Sequence, residues 1–149
     1  MGRLEKILWR IYAGLVILTA FTGFGNMPLY KRYYVSNLPG LSWTSDFLIN
    51  VRVHYIAGSF LLAIGIYFLV LYLFSSRSHL QLTVTGRLRA LFLALSLFSG
   101  MIMAFKNLPS VTFSFGWLVG MNFLHMGTAM VFVFLSLGCF IARARWAKD

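Results

Sequence analysis

Acidic side chains are almost missing from this sequence. Its 149 residues include three, Glu5, Asp46 and Asp149, against 13 Lys+Arg. None of the three lies inside a long apolar run. That argues against an acid–base enzyme working through paired carboxylates, an acidic proton relay and a carboxylate metal site. Cysteine is as scarce. Cys139 stands alone, so an internal disulfide and a thiolate metal cage are both excluded. No C-x-x-C-H occurs, which excludes covalent c-type haem attachment, and no phosphate-binding glycine loop is present. Charged residues make up 11% of the chain, where a soluble domain carries about 25%. A soluble globule of this size exposes more surface than so few charges can cover. An ordinary cytosolic enzyme, a disordered tail and a collagen-like chain are ruled out together.

Apolar residues are what the chain has instead, at 60%, with aromatics at 17%. They gather into four segments, about 7–25, 47–74, 88–105 and 115–142. A helix needs about 20 residues to cross a bilayer, and each segment has the required length. The second and fourth are long enough to tilt or to project past the lipid. Backbone groups in hydrocarbon must satisfy one another within a segment, so the segments are helices. Strands of a membrane barrel would alternate in polarity over about 10 residues, and no such stretch occurs. The expected fold is an all-α integral membrane protein: a four-transmembrane-helix up-down bundle forming one membrane domain, 1–149, with an outer loop at 26–46. The first segment has the basic start of a signal peptide but no A-x-A cleavage site, and reads as a retained helix. No internal repeat or low-complexity tract is evident.

The basic residues set the expected orientation. A net charge of +10 could suggest nucleic acid, but the cations flank the apolar runs as membrane-edge charges do, so no nucleic-acid partner is expected. Arg3, Lys6, Arg10, Arg77, Arg87, Arg89, Arg143, Arg145 and Lys148 fall on one side, against Lys31, Arg32, Arg52 and Lys106 on the other. Both termini are therefore expected in the cytoplasm. Trp43, Trp117, Trp146, Tyr30, Tyr33 and Tyr34 fall near the two interfaces, where aromatic belts form. The loop 26–46 carries Pro28, Pro39 and Gly40, which favour turns, and is expected on the outer surface.

Of three histidines, two lie within apolar segments. His54 and His125 sit about 9 Å and about 15 Å in from the outer ends of their helices. Ionisable groups at such depth are costly and point to function. In an up-down bundle the second and fourth helices lie on a diagonal about 11–14 Å apart, a gap that two imidazoles can bridge through one iron. Small residues follow each histidine at i+3 and i+4: Ala57 and Gly58, then Thr128 and Ala129. Gly14 and Gly100 are candidates for flattening the remaining walls against a macrocycle. The pattern suits a bis-histidine b-type haem. Taken singly, each histidine reads as a hydrogen-bonded packing residue and each small residue as helix packing. The pair at matched depth tilts the reading toward ligation. His79 lies in the polar stretch 75–79 and reads as a solvated loop residue.

Haem propionates need cationic or hydrogen-bonding partners. Arg52, Lys106, Asn50, Asn107 and Asn122 stand at similar heights and are the candidates. Arg52 could equally be a snorkelling charge, and Asn122 could serve a helix–helix hydrogen bond. Met101, Met103, Met121 and Met126 read as packing. Gly116 and Gly120 form a GxxxG, a weak signal for close helix approach.

The stretches 51–58, VRVHYIAG, and 122–129, NFLHMGTA, on four helices with cytoplasmic termini, resemble the cytochrome b subunits of respiratory formate dehydrogenases and membrane-bound nickel–iron hydrogenases. The likeness covers the topology of most of the chain; at residue level it rests on the two histidines and their small neighbours. Such subunits commonly hold two b haems, the outer one between helices two and four, which the resemblance assigns to His54 and His125. The inner pair has no counterpart: the cytoplasmic end of the first segment offers Trp9 and Arg10, and the deep position of the fourth offers Cys139. The resemblance therefore implies one haem b, set in the bacterial inner membrane. It implies electron relay between an iron–sulfur or cytochrome c partner at the outer face and a quinone, with Lys31, Arg32 and Trp43 at the docking loop. On this reading the cofactor-binding residues are His54, His125, Arg52, Gly58, Asn122, Ala129 and Lys106, and the chain has no stand-alone catalytic site. The rival reading is a haem-free membrane anchor or assembly subunit of a larger complex. A transporter or channel would need more polar residues in its helices, or broken helices.

Overall fold

The computed structural model of the protein describes residues 3–27, 35–74 and 81–148. Four helices dominate: α1 (Arg3–Gly25), α2 (Phe47–Phe74), α3 (Val84–Phe105) and α4 (Phe115–Ile141). All four are long and apolar enough to cross a membrane. The protein is all-α, in keeping with a multi-pass membrane protein. Large apolar side chains remain exposed along every helix, among them Ile17, Phe60, Phe98 and Phe134, as lipid-facing positions require.

The expected ends of α2 hold to the residue, and α4 stops one residue earlier than expected. By contrast, α1 and α3 each begin four residues earlier than the apolar runs suggest. Charged residues such as Arg3, Lys6 and Arg87 extend the helices without lengthening the apolar stretch. A backbone bonded within itself does not need an apolar side chain at its end. Caps fix two of the starts. Asp46 Oδ1 accepts from the backbone N–H groups of Leu48 and Ile49 at 2.9 and 3.1 Å, and opens α2. Thr83 Oγ1 accepts from Gly86 N at 2.9 Å and opens α3. In the loop 26–46 the described part forms two short 3-10 turns, Val35–Asn37 and Ser42–Ser45. Pro28, Tyr30, Lys31, Arg32, Tyr33, Tyr34, Arg77 and His79 lie outside the described residues.

The chain divides into two compact units, 1–73 and 74–149. The first is the antiparallel hairpin of α1 and α2. Trp9 near the start of α1 meets Phe68 near the end of α2, with ring centroids 6.2 Å apart. At the opposite end Gly25 lies against the Asn50 amide, where an added Cβ would stand 2.8 Å from Nδ2. The second unit is the hairpin of α3 and α4. Its open end is closed by a two-stranded antiparallel pair, β1 (Gln81–Leu82) with β2 (Ala147–Lys148), in register Gln81↔Lys148 and Leu82↔Ala147.

That closure has several parts. Arg143 stands in the left-handed region (φ 52°) just past the end of α4. Arg143 N donates to Phe140 O and Ala144 N to Cys139 O, the Schellman arrangement that turns a chain off a helix. The tail then reaches the start of α3. Thr83 donates its hydroxyl to Arg145 O at 2.8 Å. The buried Arg89 guanidinium donates to Ala144 O and Arg145 O and lies 4.2 Å from the centre of the Trp146 ring. A Cβ at Gly86 would overlap the Trp146 carbonyl, so only glycine fits there.

Within each unit the same pattern recurs, which corrects the expectation that the chain holds no repeat. Thr19-Ala20-Phe21-Thr22-Gly23 on α1 corresponds to Ser96-Leu97-Phe98-Ser99-Gly100 on α3. In that register buried Tyr12 corresponds to buried Arg89, and fully buried Thr22 to fully buried Ser99. On the second helix of each unit, burial falls at the same offsets from the histidine. Asn50, Ala57 and Leu61 around His54 correspond to Met121, Thr128 and Phe132 around His125. The protein is a tandem of two helical hairpins, each with its own seam built on a similar pattern.

Candidate functional site

Each hairpin seats one half-buried histidine against its partner helix. In the first, His54 Nδ1 lies 2.9 Å from Thr22 Oγ1. The Thr22 hydroxyl sends its own proton back along α1, to Leu18 O at 2.7 Å. With its proton placed there, its oxygen can accept from His54 Nδ1–H. Gly23 gives the ring its floor: an added Cβ would stand 3.4 Å from Cε1, in ordinary contact.

The second hairpin repeats the seat more tightly. His125 Nδ1 lies 3.0 Å from Ser96 O and 3.2 Å from Ser99 Oγ. Ser99 Oγ donates to Leu95 O at 2.7 Å. A carbonyl oxygen can only accept, so the proton of the neutral His125 ring sits on Nδ1. A Cβ at Gly100 would come within 2.9 Å of His125 Cε1. Gly100 was expected to flatten a wall against a macrocycle; it holds the imidazole of its own hairpin instead. A Cβ at Gly14 meets nothing within 4 Å.

The neutral imidazole has one protonated nitrogen and one lone-pair nitrogen. With the proton on Nδ1, as the carbonyl requires at His125 and the hydroxyl allows at His54, the basic lone pair is on Nε2. This is the arrangement in which metal-bound histidines are held, the second ring N–H being donated to a carbonyl, carboxylate or water. The donor chemistry of both residues thus fits axial ligation of a haem iron. Beside His54, a Cβ at Gly58 would meet no described atom within 4 Å, so the i+4 position leaves room on the helix surface. The i+3 positions serve differently. Ala57 and Thr128 are buried in the hairpin seams, and Thr128 bonds back to Leu124 O at 2.7 Å.

Above His54 the first hairpin carries a further polar run. Fully buried Asn50 donates through Nδ2 to Thr22 O at 3.0 Å and to Asn26 Oδ1 at 2.8 Å. Among the described residues its own Oδ1 has no hydrogen-bond partner. Asn50 is thus a structural cross-link rather than an outward-facing propionate ligand. The other polar candidates are more open: Arg52 and Asn122 are exposed, and Lys106, which caps α3, is half-buried. Arg52 belongs to the unit of His54; Lys106, Asn122 and Ala129 belong to that of His125. Met121 is buried core, and a Cβ at Gly116 or Gly120 would meet nothing within 4 Å, so the GxxxG marks no close approach among the described residues. Among them, too, no three His, Cys, Asp or Glu side chains gather as a metal site.

Sequence reading missed Thr22, Ser96 and Ser99. The signal for them was the Ser/Thr-x-Phe-Ser/Thr-Gly pattern, present once in each hairpin. Compared with known proteins, the chain matches no protein-family model, no curated protein and no solved structure.

Proposed function

We propose that the protein is a membrane-anchoring b-type cytochrome subunit of a respiratory oxidoreductase complex in the bacterial inner membrane. It relays electrons through one bis-histidine haem b between an outer-face redox partner, an iron–sulfur or cytochrome c protein, and the quinone pool. Nε2 of His54 and Nε2 of His125 would hold its iron. Arg52, Lys106 and Asn122 are the groups available to the propionates, with Gly58 and Ala129 the small neighbours of the ring. Bound haem supplies a one-electron carrier. The chain's own residues bind it, hold the ligand nitrogens and keep water away.

One observation carries the reading. Two histidines in apolar helices occupy equivalent positions in two hairpins, and Nδ1 of each lies against a fixed oxygen on the neighbouring helix, which leaves Nε2 as the nitrogen for iron. Ionisable groups are costly at membrane depth, so a pair of them supports a functional reading. The orientation follows the positive-inside rule, nine basic residues to four, with both termini cytoplasmic and the loop 26–46 outside.

The test is a reduced-minus-oxidised visible spectrum of the purified protein, beside His54→Ala and His125→Ala. One b-type haem per chain in the wild type, lost in both variants, is the expected result. No haem signal in intact wild-type protein sinks the proposal and leaves a haem-free anchor of a larger complex.

A further inference from the structure

The end of the second hairpin where α3 begins and α4 stops gathers positive charge. Residues 74–149 hold seven Lys+Arg against one acidic residue, Asp149, which lies outside the described residues. Arg87, Arg89, Arg143 and Arg145 all stand at this end. A single carboxylate cannot balance four guanidinium groups. Arg89 is the buried one, at 4% exposure. Its Nε donates to Thr85 O at 3.2 Å, and its Nη2 to Ala144 O and Arg145 O at 3.4 and 3.1 Å. Carbonyl dipoles and the face of Trp146 ease a buried cation but leave its charge in place.

The clasp fixes where the other cations stand. Thr83 N donates to Trp146 O at 3.0 Å, and Arg87 N to Thr83 O at 2.9 Å. Thr83 therefore ties the turn of α3 that carries Arg87 to the tail that carries Arg143. Both of these side chains are exposed, and neither makes a hydrogen bond or ion pair among the described residues. Holding like charges together is unfavourable unless an anion joins them. The level is that of a membrane edge. The apolar run of α3 opens at Leu88 and that of α4 closes at Ile141, which are 41% and 74% exposed. Lipid phosphates lie at this height, and indole rings such as that of Trp146 settle there.

We propose that this end of the second hairpin is a headgroup site for an anionic phospholipid. The Arg87 and Arg143 guanidinium groups meet the phosphodiester, and Arg89, held by the clasp, is the fixed positive charge behind them. A guanidinium offers a phosphate two parallel donors. A zwitterionic lipid has the same phosphate but brings its own cation, so these arginines favour the anionic one. A free phosphate ion gains nothing from exposed Leu88 and Ile141, whereas an acyl chain covers them. The site needs no haem and is independent of the cytochrome reading.

The experiment offers the full-length protein, in an uncharged detergent, phosphatidylglycerol and phosphatidylcholine of equal chain length. Native mass spectrometry counts the lipids retained. The expected preference for phosphatidylglycerol is about 25-fold, from about fivefold for each of the two exposed arginines. Arg87→Gln and Arg143→Gln should each lower it by about fivefold, and the double variant should abolish it. Arg10→Gln removes the same charge from an exposed position on the first hairpin and should leave the preference unchanged. Gly86→Ala, once trypsin shows its tail to be free, should lose as much preference as Arg143→Gln. Equal retention of the two lipids by the wild type overturns the proposal, as does an undiminished preference in the double variant. An equal fall in Arg10→Gln overturns it in favour of a general basic rim. Displacement of phosphatidylglycerol by an equal concentration of inorganic phosphate overturns the lipid in favour of a free anion. A full preference in a Gly86→Ala protein with a free tail overturns the part given to the clasp.

Discussion

In the first hairpin the turn beyond the histidine is bridged by an amide pair, Asn26 and Asn50; in the second the corresponding residues are Met103 and Met121. At the other end of the seam the difference is reversed. Tyr12 is the buried residue of α1, whereas α3 buries Arg89 at that place and wraps the tail around it. One packing plan therefore tolerates polar and apolar solutions, provided that both partners of a contact change together. The histidine, its hydroxyl acceptor and the glycine under the ring are the parts kept alike in both copies.

The largest effect that would break the comparison is expected at Gly86 and Arg89, where the second hairpin has a clasp. Gly86→Ala drives a Cβ into the Trp146 carbonyl. It should release the tail at a cost of about 1–3 kcal/mol. Limited trypsin digestion should then cut at Arg143 and Arg145 many times faster than in the wild type. Unchanged cleavage would mean that the tail is held by something other than this contact.

The amide pair comes next. Asn50→Ala leaves the Thr22 carbonyl and the Asn26 amide without their shared partner inside an apolar seam, at about 1–3 kcal/mol. Replacing Asn26 and Asn50 together by Met, as in the second hairpin, should restore most of that loss. An unfolding titration in mixed micelles over the single and double variants gives the coupling as a mutant cycle. Additive losses would show that the two hairpins are not interchangeable at this point.

Smaller still is the contrast between the glycines under the rings. Gly100→Ala places a Cβ 2.9 Å from His125 Cε1, and Gly23→Ala places one 3.4 Å from His54 Cε1. The first should cost about 1 kcal/mol or more and perturb the His125 ring resonances. The second should lie within about 0.5 kcal/mol of wild type. Equal effects at the two sites would mean that the tighter seat can relax.

Much of this was legible in the sequence. The number of helices and the bounds of α2 followed from apolar length, because lipid leaves the backbone no alternative. His54 and His125 stood out because ionisable groups are rare at that depth. The starts of α1 and α3 were less legible, since helix and apolar run part company where charged side chains take over at Arg3 and Arg87. The repeat was hidden by spacing. His54 follows Thr22 by 32 residues and His125 follows Ser99 by 26, so no single period links the copies. The hidden difference is the longer loop of the first hairpin, and the shared motif is five residues long in a background where Phe, Ser and Gly are common. The clasp was invisible for another reason: Arg89 meets backbone carbonyls and the Trp146 ring, and carbonyls carry no side-chain signature.

The clasp also sets an order of events during synthesis. The carbonyls that receive the Arg89 guanidinium lie 55 and 56 residues further along the chain. Throughout the translation of α4 this arginine has neither those acceptors nor the Trp146 ring. In the first hairpin the contacts that join Thr22 to His54 and to Asn50 run between α1 and α2, and are in place once α2 has emerged. The first hairpin can therefore mature while the ribosome is still at work, and the second is completed only after residues 144–146 have been made.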